Sequence, residues 1–256
     1  MAQQPGPLTD THCHLGSPHF AGRVGEVLAR AEAVGVQTVI VPGWDRDSSV
    51  QALALAAAYP ALRPAVGLHP WFVARDADLA WLPALLDDPR VAAVGEIGVD
   101  GAIDDADVAQ QLAIFRVQVR YAVARDLPIL IHCRRGWDRL LPCLREFPGV
   151  RGVVHAFSGS REVMHDCLRL GLYLAFAGMV TRPNSRRARE AAALVPADRL
   201  LLETDAPYMA LDGVPAEQAE PAHLPRVLTC VAALRGVSPE ALAEQVGRNV
   251  QELFGG

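Results

Sequence analysis

The sequence contains no lysine, so all 24 of its basic residues are arginine. That absence removes whole chemistries. Without lysine the chain cannot form a Schiff base with a carbonyl or pyridoxal phosphate. It cannot present a P-loop lysine to a nucleotide, nor bridge two metals through a carboxylated lysine. Cysteine is scarce: Cys13, Cys133, Cys143, Cys167 and Cys230 are odd in number, widely spaced and free of CxxC. This argues against a disulfide framework or a zinc ribbon, and the thiols read as reduced and the protein as cytoplasmic. There is no basic excess either, since the net charge is −5. A polyanion would therefore need a local arginine patch rather than a global field. MAQQPGPLTD lacks a basic n-region and an apolar h-region, so no secretion signal is expected there. The stretch 48–62 is free of charge but too short for a spanning helix, so no membrane segment is expected.

What is present is the composition of a globular chain: 256 residues, 51% hydrophobic and 21% charged, enough to bury a real core. Eight short β-rich runs alternate with helical patterns. The expected strands are Leu8–His14, Thr38–Pro42, Arg63–His69, Val91–Gly98, Pro128–Cys133, Gly152–Phe157, Leu172–Ala177 and Leu200–Asp205. Most are near-continuous apolar runs, which suit strands buried on both faces of a parallel sheet. Helical patterns lie between them, for example at Gly25–Val34, Ser48–Tyr59, Val108–Arg125, Glu162–Leu170 and Ser185–Leu194. The repeat is roughly 27 residues per βα unit. Eight such units point to a single (β/α)8 TIM-barrel domain over residues 1–256. The rival is a doubly wound open sheet, which would place a ligand at one switch point. Polar residues mark the C-terminal ends of most strands, which favours the barrel. A final helix over Ser238–Phe254, with Ser238 as N-cap and Pro239 at the first helical position, is expected to pack on the outer wall.

The polar strand ends carry the chemistry. His12 and His14 flank Cys13 at the end of the first run, and His132 and His155 end the fifth and sixth. Residues i and i+2 of a strand point to one side, so His12 and His14 are expected to share a metal while Cys13 turns away. Glu96 in VGEIGVD and Asp205 in LLETDAP occupy equivalent positions on the fourth and eighth strands. Buried acids there are costly unless paired or metal-bound. Six candidate ligands exceed what one tetrahedral zinc requires, which implies two metals with Glu96 as the bridging carboxylate. An HxH pair alone is common by chance, and the agreement of five strands is what gives it weight. Taken singly, His69 and His19 read as hydrogen-bonded structural residues, and His165 and His223 as surface or packing residues.

DTHCHLG, GLHPW, GEIGVD, ILIHCRRG, VVHAFSGS, LLETDAPY and a terminal GRNVQELF follow one another along nearly the full length. In this the chain resembles the TatD-type metal-dependent hydrolases of the amidohydrolase-like barrels, and within them the YjjV-like branch. The resemblance implies a dinuclear site made by His12, His14, Glu96, His132, His155 and Asp205, and a deoxyribonuclease-like phosphodiesterase activity. Two departures fall in substrate loops. DGVPAEQAEP keeps Glu220 and Pro221 of the family's RGxxNEP stretch but not its Asn, and Gly101 stands where many members have an aromatic.

Two cations close together suit phosphodiester cleavage, one activating water and the other holding a phosphoryl oxygen. In this reading Asp205 and Glu96 are the catalytic carboxylates, and Asp205 also takes a proton from the attacking water. Three residues are assigned to the substrate: Arg134, His69 and Ser158. Arg134 would grip a phosphate bidentately, or else form a structural salt bridge. Ser158 and Gly159 would offer an anion site at a helix start, or else a plain N-cap. The four arginines of 182–189 would hold a polyanion or form a solvated helix face, and Trp71 and Phe72 would stack a base or pack under a lid. The helix after the fourth strand is read as an ordinary barrel helix. The leading expectation is cleavage of nucleic-acid ends, with no membrane and no obligate protein partner. The rival is hydrolysis of a carboxyl ester or amide, such as an aminoacyl-tRNA, and a third reading is a non-catalytic metal-binding scaffold. The cations are divalent, drawn from zinc, manganese, magnesium or nickel; the imidazoles favour a transition metal over magnesium.

Overall fold

Apolar residues on both faces of a strand leave only one arrangement that buries them all, a sheet walled by helices. The computed structural model, which describes residues 6–75 and 77–255, has that arrangement. The expectation about a signal at MAQQPGPLTD falls partly on residues 1–5, outside the described residues. The first half of the chain runs β1 (Leu8–Asp10), α1 (Val24–Ala33), β2 (Val36–Pro42), α2 (Arg46–Ala58), β3 (Leu62–Val66), α3 (Leu82–Leu86), β4 (Ala93–Asp100) and α4 (Val108–Ala124). The second half runs β5 (Ile129–Arg134), α5 (Trp137–Leu144), β6 (Gly152–Val154), α6 (Arg161–Arg169), β7 (Tyr173–Phe176), α7 (Arg186–Leu194), β8 (Leu200–Leu202), α8 (Leu224–Arg235) and α9 (Pro239–Phe254). The eight strands are parallel and each pairs with its neighbour in chain order.

Closure comes just beyond the strand ends. Thr11 N donates to Leu202 O at 3.2 Å, Asp205 N to His12 O at 2.9 Å and His14 N to Ala206 O at 2.8 Å. These bonds stitch the first strand to the last and exclude the open sheet. α9 packs against β1 and β8, as expected of the final helix. Ser238 caps it by accepting from Ala241 N at 3.1 Å, with Pro239 in its first turn. Buried Asn249 ties it to the wall through Ala197 O at 2.8 Å and Leu200 O at 2.7 Å. Among the described residues no helix is long and apolar enough to cross a membrane.

Strand ladders at four of the marked ends are shorter than expected. β1 stops at Asp10, β3 at Val66, β6 at Val154 and β8 at Leu202, each before its polar residue. The backbone there leaves the ladder to aim side chains at the barrel axis, and side chains replace the lost sheet bonds. Asp10 is fully buried and accepts from Thr204 N at 2.9 Å, Thr204 Oγ1 at 2.6 Å and His12 N at 3.3 Å. Gln118 bonds both Leu68 N at 2.7 Å and Leu68 O at 3.0 Å, extending β3 by proxy. Gln111 brackets Asp100 at the end of β4, through its N at 2.9 Å and its O at 3.2 Å. α4 is therefore more than an ordinary barrel helix, since two of its buried amides finish two strands. α2 begins at Arg46 rather than Ser48, because Asp45 is the N-cap and accepts from Ser48 N at 2.9 Å.

Candidate metal centre

The departures from the ladder gather at the C-terminal mouth of the barrel, where His12, His14, Glu96, His132, His155 and Asp205 converge. His12 and His14 lie past the end of β1, yet their Nε2 atoms are 3.1 Å apart. Cys13 between them is fully buried and turned away, with Sγ 3.5 Å from Ala206 O. His155 ends the segment after β6, followed by Ala156 in a left-handed conformation with φ 43°. Asp205 is itself left-handed, with φ 53°, and the turn swings its carboxylate back over the barrel.

Glu96 occupies the middle of the group. Its Oε2 lies 3.2 Å from His12 Nε2 and 3.6 Å from His14 Nε2. Its Oε1 lies 2.9 Å from His155 Nε2, 3.0 Å from His132 Nδ1 and 3.4 Å from His69 Nε2. Asp205 Oδ1 joins the first set, 3.5 Å from His14 Nε2 and 3.9 Å from His12 Nε2. The two oxygens of one carboxylate thus face two sets of imidazoles, which meet where the His12 and His155 rings stack with centroids 4.2 Å apart.

The donors present fit divalent cations. Three combinations, His12 with His14 and Glu96, His12 with His155 and Asp205, and His69 with Glu96 and His132, each bring their ligand atoms within 4.8 Å of one another. Imidazole nitrogen facing imidazole nitrogen at 3.1 Å occurs twice, the second time between His132 Nδ1 and His155 Nε2. A cation between such lone pairs relieves their crowding, and nitrogen-rich ligation suits zinc, manganese or nickel better than magnesium.

The charges of the protein's own groups at the site compensate one another. Burial opposes ionisation of Glu96, but His155, His69 and His12 around it hold its carboxyl well below the usual range. Burial likewise opposes ionisation of Asp205, and the bond from His14 with the nearby His155 and His12 again outweighs it. Burial pulls His69 down to about 4 and also lowers His14. His155 is raised well above its ordinary value despite burial, through Glu96 and Glu203, and His132 is raised through its bonds to Asp100 and Glu96. Protons on these histidines stand where cations would, so loading the site releases protons.

Above the cluster opens a cavity of about 440 Å³, walled by Trp44, Trp71, Phe72, Tyr208, Met209 and Arg134. Arg134 is exposed, and among the described residues its side chain makes no ion pair, so the salt-bridge alternative does not hold. His69, read alone as a structural residue, also faces the cavity. Ser158 does not line this cavity. It is exposed, and the N-cap of α6 is Ser160, whose Oγ accepts from Val163 N at 3.4 Å. The arginine run also stands away from the cavity: Arg189 turns inward to Val180 O at 3.0 Å, and Arg187 lines a separate groove with Ser160 and Arg161. Glu220 points to Arg30, with oxygens at 2.7 and 2.8 Å from its guanidinium, and is structural.

Several residues of the site were not anticipated. Asp100 accepts from Trp71 Nε1 at 2.7 Å and faces His132 Nε2 at 3.2 Å. Its signal was present, because Asp100 follows Glu96 by four residues on one strand. Glu203 accepts from Ala156 N at 2.6 Å and fixes the turn behind His155. Trp44 and Tyr208 pack their rings 5.5 and 5.0 Å from His14; nothing in the sequence separates them from ordinary loop aromatics.

Comparison with known proteins adds four findings. The family model described as TatD related DNase matches residues 9–255. The chain is 33% identical over 251 residues to the metal-dependent hydrolase YabD of Bacillus subtilis, covering 96% of this chain and 98% of that one. It is 37% identical over 266 residues to the 3'-5' ssDNA/RNA exonuclease TatD of Klebsiella pneumoniae, covering 97% and 98%. The crystal structure of the TatD homologue YjjV from Escherichia coli superposes with a TM-score of 0.92 at 35% identity, covering 96% and 97%.

Proposed function

The chain belongs to the TatD-related DNase family, and from that footing we propose that it is a two-cation phosphodiesterase acting on the ends of single-stranded nucleic acid. The observation that carries this reading is the placement of Glu96, each of whose oxygens faces its own group of histidines. In it His12, His14, Glu96 and Asp205 would hold one divalent cation, and Glu96, His132 and His155 the other, with zinc, manganese or nickel preferred on donor chemistry. The cations, when bound, supply positive charge to a phosphoryl oxygen and acidify a water. The protein does the rest. Asp205 has one oxygen toward His14 and a second left to accept the proton of the attacking water. Glu96 places negative charge between two positive centres that would otherwise repel. Arg134 on the cavity wall offers two parallel N–H donors to the phosphate, and His69 completes the floor beside Glu96. Ser158 has no part in this arrangement. We further read residues 1–256 as one barrel domain, and the five free cysteines as suited to the cytoplasm.

The mostly aromatic wall favours a second reading, hydrolysis of a carboxyl ester or amide in an apolar pocket. A panel separates the two: a single-stranded oligonucleotide labelled at its 5' end, a phosphomonoester and a neutral carboxyl ester, each assayed with Mn²⁺ and with EDTA. The proposal expects stepwise shortening of the oligonucleotide, abolished by EDTA. Turnover of the carboxyl ester alone would overturn it.

A further inference from the structure

His132 is turned differently from its neighbours. His12, His14, His69 and His155 direct Nε2 at the carboxylates, whereas His132 directs Nδ1 at Glu96 and sends Nε2 outward to Asp100 Oδ2 at 3.2 Å. Asp100 is fully buried. Its Oδ1 accepts from Ala102 N at 2.8 Å, and Gln111 brackets its backbone. An ionised carboxylate only accepts, so Asp100 holds a proton on Nε2, and a cation on the Glu96 side would take the place of any proton on Nδ1.

The second donor to Asp100 Oδ2 is unexpected in kind. Trp71 Nε1 reaches it at 2.7 Å, yet Trp71 is 57% exposed, the most exposed of the large hydrophobic side chains. Its backbone N donates to His69 Nδ1 at 3.1 Å, and its ring stands edge-on to His69 with centroids 5.1 Å apart. The indole is thus fixed by its polar atom from inside and presents the rest of its surface to the cavity mouth. An exposed aromatic tethered in this way is a stacking platform that any base can use.

We propose that Asp100 is the positioning residue of His132, and that Trp71 clamps Asp100 so that a nucleobase stacked on the indole and a divalent cation held by His132 and Glu96 strengthen each other's binding. The coupling rests on the nucleic-acid reading above, while the positioning role of Asp100 does not. Stacking immobilises the indole, the indole immobilises the Asp100 carboxylate, and the carboxylate fixes the ring of His132. A cation on Nδ1 fixes the same chain from the other end, and linkage makes the two effects equal.

The test uses the full chain, wild type and the variants Asp100→Asn and Trp71→Phe. In metal-free protein at alkaline pH, ¹⁵N spectra of the histidines should place the wild-type His132 proton on Nε2. Asp100→Asn can donate to Nε2 and should move that proton to Nδ1. By calorimetry it should weaken the second Mn²⁺ about 10- to 100-fold and leave the first unchanged. Trp71→Phe keeps a ring but loses the bond. Its affinity for a cleavage-resistant phosphorothioate trithymidylate is measured without and with Mn²⁺ and compared with itself, so that any stacking lost on the smaller ring cancels. The gain on adding Mn²⁺ should be about fivefold or more smaller than in wild type, the part due to direct contact between cation and phosphate remaining. Unchanged tautomer and Mn²⁺ affinity in Asp100→Asn overturn the positioning role. A full Mn²⁺ gain in Trp71→Phe overturns the coupling, and decides the matter alone if Asp100→Asn does not fold. If wild type fails to bind the trinucleotide with or without Mn²⁺, the nucleic-acid reading falls and the coupling with it, while the tautomer still decides Asp100.

Discussion

Glu96 and Asp205 are both buried acids held ionised by surrounding histidines, but their geometry assigns them different work. Glu96 faces both imidazole groups, so Glu96→Ala should lower bound metal from about two towards one or none per chain and abolish turnover; metal content by mass spectrometry and initial rates check it. Asp205→Asn keeps an amide oxygen for ligation but cannot accept a proton. It should retain at least one metal while losing most activity. Arg134, on the cavity wall and without an ion pair among the described residues, separates phosphate from carbonyl chemistry. Losing one charged hydrogen bond costs about 1.5–3 kcal/mol, so Arg134→Ala should lower kcat/KM for a phosphodiester roughly 10- to 100-fold. For a neutral ester it should change little, and equal losses on both would mark the residue as structural.

At the scale of elements, α6 and β4 show how local chemistry sets the site's frame. Ser158 is read from the sequence as an anion site or a plain N-cap, and the structure gives the cap to Ser160. Ser160→Ala should cost about 0.5–1 kcal/mol in urea denaturation, whereas Ser158→Ala should stay within about 0.5 kcal/mol. Neither should alter kcat/KM. β4 runs so close to β5 at Gly98 that a Cβ there would collide with His132 O, and the glycine holds φ 152°. Gly98→Ala should therefore destabilise by about 2 kcal/mol or more. Because the collision is with a residue of the site, the gain in stability on adding metal should shrink as well.

For the whole molecule, the site is a crosslink between distant strands. A cation held by His12, His14 and Asp205 would join residues next to β1 and β8, and Glu96 would add β4. Metal that binds only the folded chain stabilises by about 2.7 kcal/mol at a hundredfold excess over Kd, equivalent to roughly 5–10 °C in Tm for a chain of this size. Scanning calorimetry with Mn²⁺ and with EDTA should show that rise in wild type. Glu96→Ala should lose most of it.

The sequence by itself determined the βα rhythm, the closed barrel and the placement of His12, His14, Glu96, His132, His155 and Asp205 at one end. These follow from local features: apolar runs long enough for buried strands, and a polar residue where each run stops. Strand boundaries were less legible, because ladders end where side chains such as Asp10 and Gln118 take over the backbone bonds, and those partners come from other elements. Only the tertiary structure decided that Glu96 divides its oxygens between two histidine groups, that His132 faces inward by Nδ1, and that Trp71 reaches Asp100. It also decided that Ser158 and the arginine run stand apart from the cavity. Periodicity records which side of an element is buried. Which ring nitrogen faces a carboxylate, and which loop residue overhangs it, depend on bonds between segments far apart in the chain, fixed only once β8 closes on β1.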